Sequence, residues 1–211
     1  MTTPTPRIDA RTPAATRLPP GQIVTQKWPV LHYSHVPMVD KATWRFEVSG
    51  AVQNPYVLTW AEFVQLGQQE TLCDMHCVTR WSRYDNLFAG VAVKSLISMA
   101  QPRPEASHVL VHAEPGYTTN LPLEDLDREA NLLATRHDGE DLTPEHGGPV
   151  RLLVPHLYLW KSAKWVTGFE LLDGDEPGFW EDNGYHMHGD PWREERFGRP
   201  DHARMRRGPR R

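Results

Sequence analysis

The chain has 211 residues, with 23 basic and 27 acidic side chains and a formal net charge of −4 when histidine is neutral. This length allows one sizeable hydrophobic core, and the small net charge argues against nucleic acid as a partner. Because no run of 18 apolar residues occurs, the sequence predicts no membrane span.

Only two cysteines occur, Cys73 and Cys77, four positions apart. On an extended segment, residues with this spacing lie roughly 13 Å apart, which is too far for a disulfide within the chain. Two free thiols fit a reducing compartment, and the first residues contain no apolar segment typical of a secretion signal. We therefore expect a cytoplasmic protein.

Composition divides the chain into three regions. Residues 1–21 are rich in Thr, Pro, Ala and Arg and are predicted to form a disordered leader. Residues 22–200 are predicted to form one folded domain. Residues 201–211 are rich in arginine and are expected to be a solvated, mobile basic tail.

Short strands and short helices are predicted along the central region. Thr59 and Glu62 have the spacing of a capping box, which predicts a short helix that ends near residue 66. A second helix is predicted over 94–99, whereas residues 131–135 fit either a helix or a strand. Alternating or continuous apolar residues predict strands at 44–48, 70–75, 108–112, 150–154 and 165–171. Strands mixed with short helices, without regular βαβ alternation, favour an α+β domain with mixed β-sheets.

Cys77 is the first candidate for chemistry, because it follows a predicted strand and begins a turn-like segment. Arg80 lies three residues later, and its charge favours the thiolate, which can ligate a soft metal or attack a substrate. A buried cysteine that packs as a small hydrophobic residue is the competing interpretation. Arg80 itself is a candidate for holding a substrate anion, or for an ion pair with Asp74 or Asp85.

Arg151, Ser162 and Lys164 form the second candidate group. They offer a guanidinium fork, a hydroxyl and an ammonium, a combination suited to a phosphate dianion. On an extended segment Ser162 and Lys164 point the same way, and the preceding glycines allow the backbone to approach a ligand closely. A solvated basic face is the competing interpretation.

A third candidate is the aromatic and glycine-rich segment 178–192, which contains Tyr185, His186 and His188. Its two histidines are potential metal ligands, and its composition also fits a loop that lines a cleft. A packed irregular loop with surface histidines is the competing interpretation.

The order of four motifs resembles the molybdopterin-binding domain of the sulfite oxidase family. The likeness is strongest to the compact bacterial sulfite oxidase-like oxidoreductases, which are related to the catalytic subunit of protein-methionine-sulfoxide reductase. It extends over roughly residues 23–197. The motifs are Trp-Pro-Val-Leu-His-Tyr at 28–33, His-Cys-Val-Thr-Arg-Trp-Ser at 76–82, His-Gly-Gly-Pro-Val-Arg at 146–151 and Lys-Ser-Ala-Lys-Trp at 161–165.

This resemblance implies one molybdenum held by the dithiolene of one molybdopterin and by Cys77. It implies a two-electron oxidoreductase, with oxygen-atom transfer to or from a small S- or N-oxide and an unidentified redox partner. Arg80 and Tyr185 are the candidate residues on the substrate side, and a monomer is expected because no dimerisation module is visible. The residues that match cofactor contacts of the family are His32, Tyr33, His146, Arg151, Ser162 and Lys164.

Two alternatives remain open from the sequence. One is a zinc site built from Cys73, His76 and Cys77 with His186 or His188, although this spacing is uncommon for zinc. The other is a module without catalytic activity that binds a phosphorylated ligand through its basic residues while Cys77 is merely buried.

Overall fold

Two β-sheets dominate the structure, a computed structural model that describes residues 5–13 and 16–198. The helices are short: α1 (Trp60–Gln65), α2 (Val93–Ala100), α3 (Leu123–Leu126) and α4 (Phe179–Asp182). In chain order the strands are β1 (Arg7–Asp9), β2 (Ile23–Val24), β3 (Arg45–Gly50), β4 (Tyr56–Thr59), β5 (Gln68–His76), β6 (Trp81–Ala92), β7 (His108–Ala113), β8 (Tyr117–Pro122), β9 (Leu132–His137), β10 (Glu140–Asp141), β11 (Arg151–Leu153) and β12 (Val166–Leu172).

Both sheets contain parallel and antiparallel pairs. In the first sheet the strand order is β1-β5-β6-β9-β10, with β11 beside β9 and β2 beside β6. In the second sheet the order is β4-β3-β12-β7-β8, and β12 runs parallel to β3 but antiparallel to β7. The predicted α+β class with mixed sheets and short helices is therefore confirmed.

The main core lies against the inner face of the second sheet. In β3, Phe46 and Val48 are buried while Arg45 and Glu47 are exposed, as expected for a strand with one face on a core. Phe169 of β12 packs edge-on against Phe46, with ring centroids 5.0 Å apart. A smaller apolar cluster around Cys73 and Phe88 stabilises the first sheet separately.

The predicted elements correspond closely to the observed ones. All five predicted strands are present, and the capping box at Thr59 and Glu62 begins α1 as expected. Residues 131–135 lie mostly in strand β9 rather than in a helix. The sequence missed the strands β2, β4, β8 and β10 and the short helices α3 and α4, and it missed that β6 is a single strand of 12 residues. One face of β6 carries polar side chains such as Arg83 and Asp85, so the alternation typical of a strand is difficult to recognise in this part of the sequence.

The disorder predicted for residues 1–21 requires correction in the described part of that segment. Residues 7–9 form β1, which pairs parallel with β5. Arg17 donates to both carboxylate oxygens of Asp74, at 2.6 and 2.7 Å. Backbone pairing and a half-buried ion pair attach this segment, despite its low apolar content. The predicted basic tail at 201–211 lies outside the described residues.

Candidate active site

Cys77 lies in the four-residue loop that joins β5 to β6. Its N–H donates to the carbonyl of Trp81 (2.8 Å), and the N–H of Arg80 donates to the carbonyl of Cys77 (3.0 Å), so the loop is closed by two backbone bonds. The Cys77 side chain is only 6% exposed, yet it forms part of a cavity wall. The strand pair therefore holds one sulfur atom at the base of a cavity.

This cavity has a volume of about 330 Å³. Its lining is rich in aromatic side chains and also includes Cys77, Arg151 and Lys164. The aromatic lining residues are Trp28, Tyr33, Trp81, Tyr117, Trp160, Trp165, Trp180 and Tyr185. Two hollows of about 650 and 640 Å³ flank the exposed segment 37–40. They are larger, but neither contains a cysteine or reaches the paired cations, so the aromatic cavity is the candidate site.

Two influences oppose each other at the Cys77 thiol. Burial raises its pKa, whereas the hydrogen bond with Thr79 and the nearby charge of Arg196 lower it, and the result is a raised pKa. The sequence predicted that Arg80 would favour the thiolate. In the structure, the guanidinium whose charge lowers the pKa of Cys77 instead belongs to Arg196, which lies more than a hundred residues later in the sequence.

Arg80 is not among the residues that line the cavity, and its contact with a substrate anion stays a prediction. It has a left-handed φ of 73°, and its guanidinium lies beside Gly21. The alternative ion pair is absent too among the described residues, because Asp74 and Asp85 both pair with Arg17. Its exposed side chain points to no role in the site.

Arg151 and Lys164 lie opposite each other in an isolated antiparallel bridge. The Arg151 guanidinium donates to the carbonyls of His146 (2.9 Å) and Ser162 (3.0 Å), and Lys164 Nζ donates to the carbonyl of Glu145 (2.6 Å). In the part of the chain that the structure describes, neither cation forms an ion pair with a carboxylate. Burial lowers the pKa of Arg151 to about 10. Burial and the charge of Arg151 lower the pKa of Lys164 to about 8.

Gly147 and Ser162 shape the backbone around these cations. Gly147 has a φ of 103°, and a Cβ there would lie 3.0 Å from both Arg151 Cβ and Lys164 Cβ, so only glycine fits. The Ser162 hydroxyl accepts a hydrogen bond from the N–H of Val154 at 2.9 Å. Ser162 lines the cavity as predicted, but in this structure its hydroxyl also fixes the strand beside it.

Three residues of the histidine and tyrosine type were predicted to contact the cofactor, and two of them line the cavity. His32 and Tyr33 line it, on the segment that follows Trp28. His146 is not among the lining residues, and its contact with the cofactor stays a prediction. Its ring stacks on Trp28 with centroids 4.0 Å apart, and Trp28 in turn forms part of the wall. His146 therefore supports the cavity from behind.

Tyr185 also lines the cavity, which agrees with the interpretation of the 178–192 segment as a loop that lines a cleft. Its ring stacks on Trp180 (centroids 4.9 Å apart) and meets Trp160 edge-on (5.0 Å). Burial raises the pKa of its phenol, and the charge of Cys77 adds to this shift. The hydroxyl therefore stays protonated at neutral pH and is available as a hydrogen-bond donor.

Sequence reasoning missed a fully buried ion pair behind this wall. Lys161 Nζ lies 2.6 Å from Glu181 Oε1, and both side chains have no exposed surface. Lys161 also donates to Asn120 Oδ1 (2.7 Å) and to the carbonyl of Met187 (2.6 Å). Trp160 Nε1 donates to Glu181 at 2.8 Å. A lysine inside the aromatic sequence Leu-Trp-Lys was the available signal, because such a lysine requires a buried partner.

The zinc alternative lacks a ligand set in the described residues, where no three His, Cys, Asp or Glu side chains are grouped to hold a metal ion. Cys73 is sealed in the second apolar cluster, and His76 Nδ1 is hydrogen-bonded to a serine hydroxyl. His188 lies between two carboxylates. Both cysteines are free, as predicted.

The residues at the cavity fit an anionic, sulfur-ligated cofactor. Arg151 is a buried cation and Lys164 a half-buried one, neither has a carboxylate partner among the described residues, and Arg151 Nε has no hydrogen-bond acceptor there. Such groups are costly to bury alone and favour a bound anion. Cys77 supplies a soft donor at the same cavity.

Comparisons with known proteins agree with this geometry. Residues 33–180 match the model of the oxidoreductase molybdopterin binding domain. The chain is 49% identical over 182 residues to the uncharacterized oxidoreductase YuiH of Bacillus subtilis, covering 86% of this chain and 92% of that protein. It is 29% identical over 155 residues to the protein-methionine-sulfoxide reductase catalytic subunit MsrP of Gluconobacter oxydans, of which it covers only 49%.

A solved structure shows the same fold. The sulfane dehydrogenase SoxCD from Paracoccus pantotrophus superposes with a TM-score of 0.63 at 22% identity, over 68% of this chain and 41% of that chain. No helix in the described ranges is long and apolar enough to cross a membrane. On the family match and the close Bacillus relative, the chain belongs to the sulfite oxidase-like oxidoreductases that carry the molybdopterin-binding domain.

Proposed function

We propose that this chain binds one molybdenum-carrying molybdopterin and catalyses a two-electron oxygen-atom transfer with a small S- or N-oxide. Cys77 is the protein ligand to the metal, and Arg151 and Lys164 hold the anionic part of the pterin. The observation that carries the proposal is the joint presence of a cysteine sulfur and two uncompensated cations on one 330 Å³ cavity. A molybdenum ligated by cysteine and carried by an anionic pterin would use both features.

The cations provide affinity through charge and fixed direction. Backbone carbonyls already orient the Arg151 guanidinium and the Lys164 ammonium, so little side-chain freedom is lost when an anion arrives. An anion held by these two residues would also offset the repulsion by Arg151 that, together with burial, lowers the pKa of Lys164. Ser162 and Gly147 allow a close approach because one fixes the strand and the other has no Cβ.

The protonation state of the Cys77 sulfur depends on whether a metal is bound. Because burial raises its pKa, the thiol is protonated at neutral pH, and coordination requires loss of that proton. When bound, the cofactor supplies a metal that can change its oxidation state by two electrons and exchange an oxygen atom. The protein orients the substrate and excludes water.

The cavity walls favour a substrate without net charge. Arg80 lies elsewhere, and the two cations of the lining are assigned to the pterin, while Glu114 adds negative charge to the wall. An oxyanion such as sulfite would therefore lack a free cationic partner among the described residues. Aromatic rings around Tyr185 instead suit the methyl or methylene groups of a neutral oxide, and its hydroxyl is the hydrogen-bond donor that we assign to the substrate.

The central test is the metal content and coordination of a Cys77→Ser variant from a molybdenum-replete host. We expect wild-type protein to contain molybdenum with a cysteine sulfur ligand. The variant should lose that sulfur in X-ray absorption and lose activity towards S- and N-oxides by more than about a hundredfold, since even neighbours of metal ligands contribute 10–100-fold.

Cys73→Ala is the matched control, because it removes the other buried thiol without touching the cavity. It should retain the molybdenum and its sulfur ligand. Unchanged molybdenum coordination in Cys77→Ser, or wild-type protein that contains zinc or no metal, would contradict the proposal.

We further propose a cytoplasmic location and a separate redox partner. The two thiols are free and buried, which suits a reducing compartment. A two-electron reaction also needs an electron donor or acceptor.

A further inference from the structure

The hydroxyl of Thr79 lies 3.1 Å from the sulfur of Cys77, and Thr79 lines the same cavity. We infer that Thr79 is a positioning residue whose hydroxyl donates a hydrogen bond to the ligand sulfur and thereby sets how strongly that sulfur donates electrons to the metal. This inference rests on the proposed function, because it assumes that Cys77 is the ligand.

The chemistry of the sulfur fixes the direction of this hydrogen bond. Both a thiol and a hydroxyl can donate or accept, so the direction is open while Cys77 is protonated. A metal ligand must be the thiolate, which has lone pairs and no proton. In the metal-bound state the hydroxyl of Thr79 is therefore the only possible donor of the pair.

The loop that carries both residues is held from behind by the two ends of the folded domain. Gln22 Nε2 donates to the carbonyl of Cys77 at 3.0 Å. Arg196 Nη1 donates to the carbonyl of Val78 at 2.7 Å. With both carbonyls fixed, the backbone between Cys77 and Thr79 has little freedom. The hydroxyl and the sulfur are held together by the fold.

The contacts of the Thr79 side chain also point to the sulfur. Among the described residues, the Thr79 hydroxyl has a hydrogen bond to Cys77 alone. The hydrogen bond with the sulfur is therefore the interaction that accounts for the orientation of this hydroxyl.

A hydrogen bond to a ligand sulfur withdraws electron density from it. Hydrogen bonds to ligand atoms from neighbouring residues tune metal sites, and those to cysteine sulfur shift reduction potentials. Without the bond, the sulfur becomes a stronger donor and stabilises the oxidised metal. The reduction potential then becomes more negative, and the sulfur-to-metal charge-transfer absorption moves to longer wavelength.

The experiment compares Thr79→Val, which keeps the shape but lacks the hydroxyl, with Thr79→Ser, which keeps the hydroxyl. Both are made as full-length holoenzyme, and molybdenum content is measured first. We expect Thr79→Val to show the longer-wavelength band and the more negative potential in a redox titration. Thr79→Ser should match the wild type in both measurements. A merely structural role would not separate these two variants.

Three outcomes would overturn the inference: an unchanged band and potential in Thr79→Val, an equal shift in both variants, or loss of molybdenum from both. If Thr79→Val alone loses molybdenum, the need for the hydroxyl at the ligand is supported. X-ray absorption of the wild type keeps the proposed function separate, because absence of a cysteine sulfur there refutes that function whatever the Thr79 variants show.

Discussion

Arg151 and Lys164 are two neighbouring cations that line the same cavity, and neither forms an ion pair with a carboxylate in the described residues. Burial lowers the pKa of Arg151, and burial together with the charge of Arg151 lowers the pKa of Lys164. Stability alone does not account for such a pair, because burying charge without a counter-ion is unfavourable. An anionic ligand accounts for it, since the ligand converts a repulsive pair into a binding site.

Replacing Lys164 by Gln should therefore affect binding and stability in opposite directions. Loss of one phosphate contact, of the order of 1.5–3 kcal/mol, should lower pterin occupancy by about tenfold or more. In cofactor-free protein the same change should raise the Tm, because the repulsion with Arg151 disappears. Pterin content and thermal unfolding measure the two effects.

The pH dependence of this stability effect follows from the pKa of Lys164. The folded value of about 8 lies below the ordinary 10.5, so the charged lysine disfavours folding below pH 8 and this penalty fades between pH 8 and 10.5. The gain from Lys164→Gln should be largest near pH 7 and smallest near pH 10. Lys94→Gln is the control, because Lys94 lies in an exposed pair with Glu129. This variant should change neither the pterin content nor the Tm. Equal effects from both variants would exclude the phosphate role of Lys164.

At the scale of elements, the Lys161–Glu181 pair joins three pieces that form the aromatic wall. Lys161 ends the 3₁₀ turn Leu159–Lys161, Glu181 belongs to α4, and Asn120 belongs to β8. Because Trp160 also donates to Glu181, the orientation of one wall residue depends directly on this buried carboxylate. The ion pair fixes how α4 sits against the sheet, and so fixes the position of Trp180.

Glu181→Gln should destabilise the protein strongly. The change keeps the shape but leaves the ammonium of Lys161 buried without a counter-ion, which costs about 3–5 kcal/mol. Denaturant unfolding of cofactor-free protein measures this loss. Asp182→Asn, the exposed next residue of α4, should cost less than about 0.5 kcal/mol. A similar small cost for both variants would show that the buried pair does not stabilise the wall.

At the scale of the whole molecule, the two ends of the domain meet behind the Cys77 loop. Gln22 comes from the N-terminal side and Arg196 from the C-terminal side. The C-terminal segment is attached to α3 by His188, which bridges Glu195 (2.7 Å) and Asp125 (3.1 Å) through its two ring nitrogens. Distant parts of the chain therefore cooperate to hold one loop.

The His188 bridge predicts a stability that depends on pH. Hydrogen bonds that His188 donates to Asp125 and Glu195 raise its pKa above the ordinary 6.5, against the effect of burial. Its contribution is therefore complete below pH 6.5 and is lost as the pH rises through the raised value. His188→Gln should lower the Tm by about 2–4 °C near pH 6, equivalent to about 1 kcal/mol after allowing for its partial exposure, and by less near pH 9.

His156→Gln is the matched control, because His156 contacts the same carboxylate (2.9 Å) but has a pKa that burial lowers. Protonation of His156 disfavours the fold, so the cost of this variant should shrink as the pH falls. If both variants showed the same pH trend in thermal unfolding, the bridge would not depend on a charged His188.

Local patterns were sufficient to predict much of this protein. The alternation at β3 and the capping box at Thr59 depend on neighbours a few residues apart, and these were predicted correctly. The motifs around Cys77 and between residues 146 and 165 gave the family. Arg151, Ser162, Lys164, His32, Tyr33 and Tyr185 were all assigned to the site and do line one cavity.

Only the tertiary structure decided which charges reach that cavity. Arg80 is near Cys77 in sequence but turns towards Gly21, while Arg196 is far in sequence and supplies the charge near the sulfur. The pairing of Lys161 with Glu181 and the stacking of His146 on Trp28 also join residues that are distant in the chain. Sequence spacing determines contacts within a strand or a turn, whereas contacts between elements depend on how their apolar faces pack, and packing positioned these side chains.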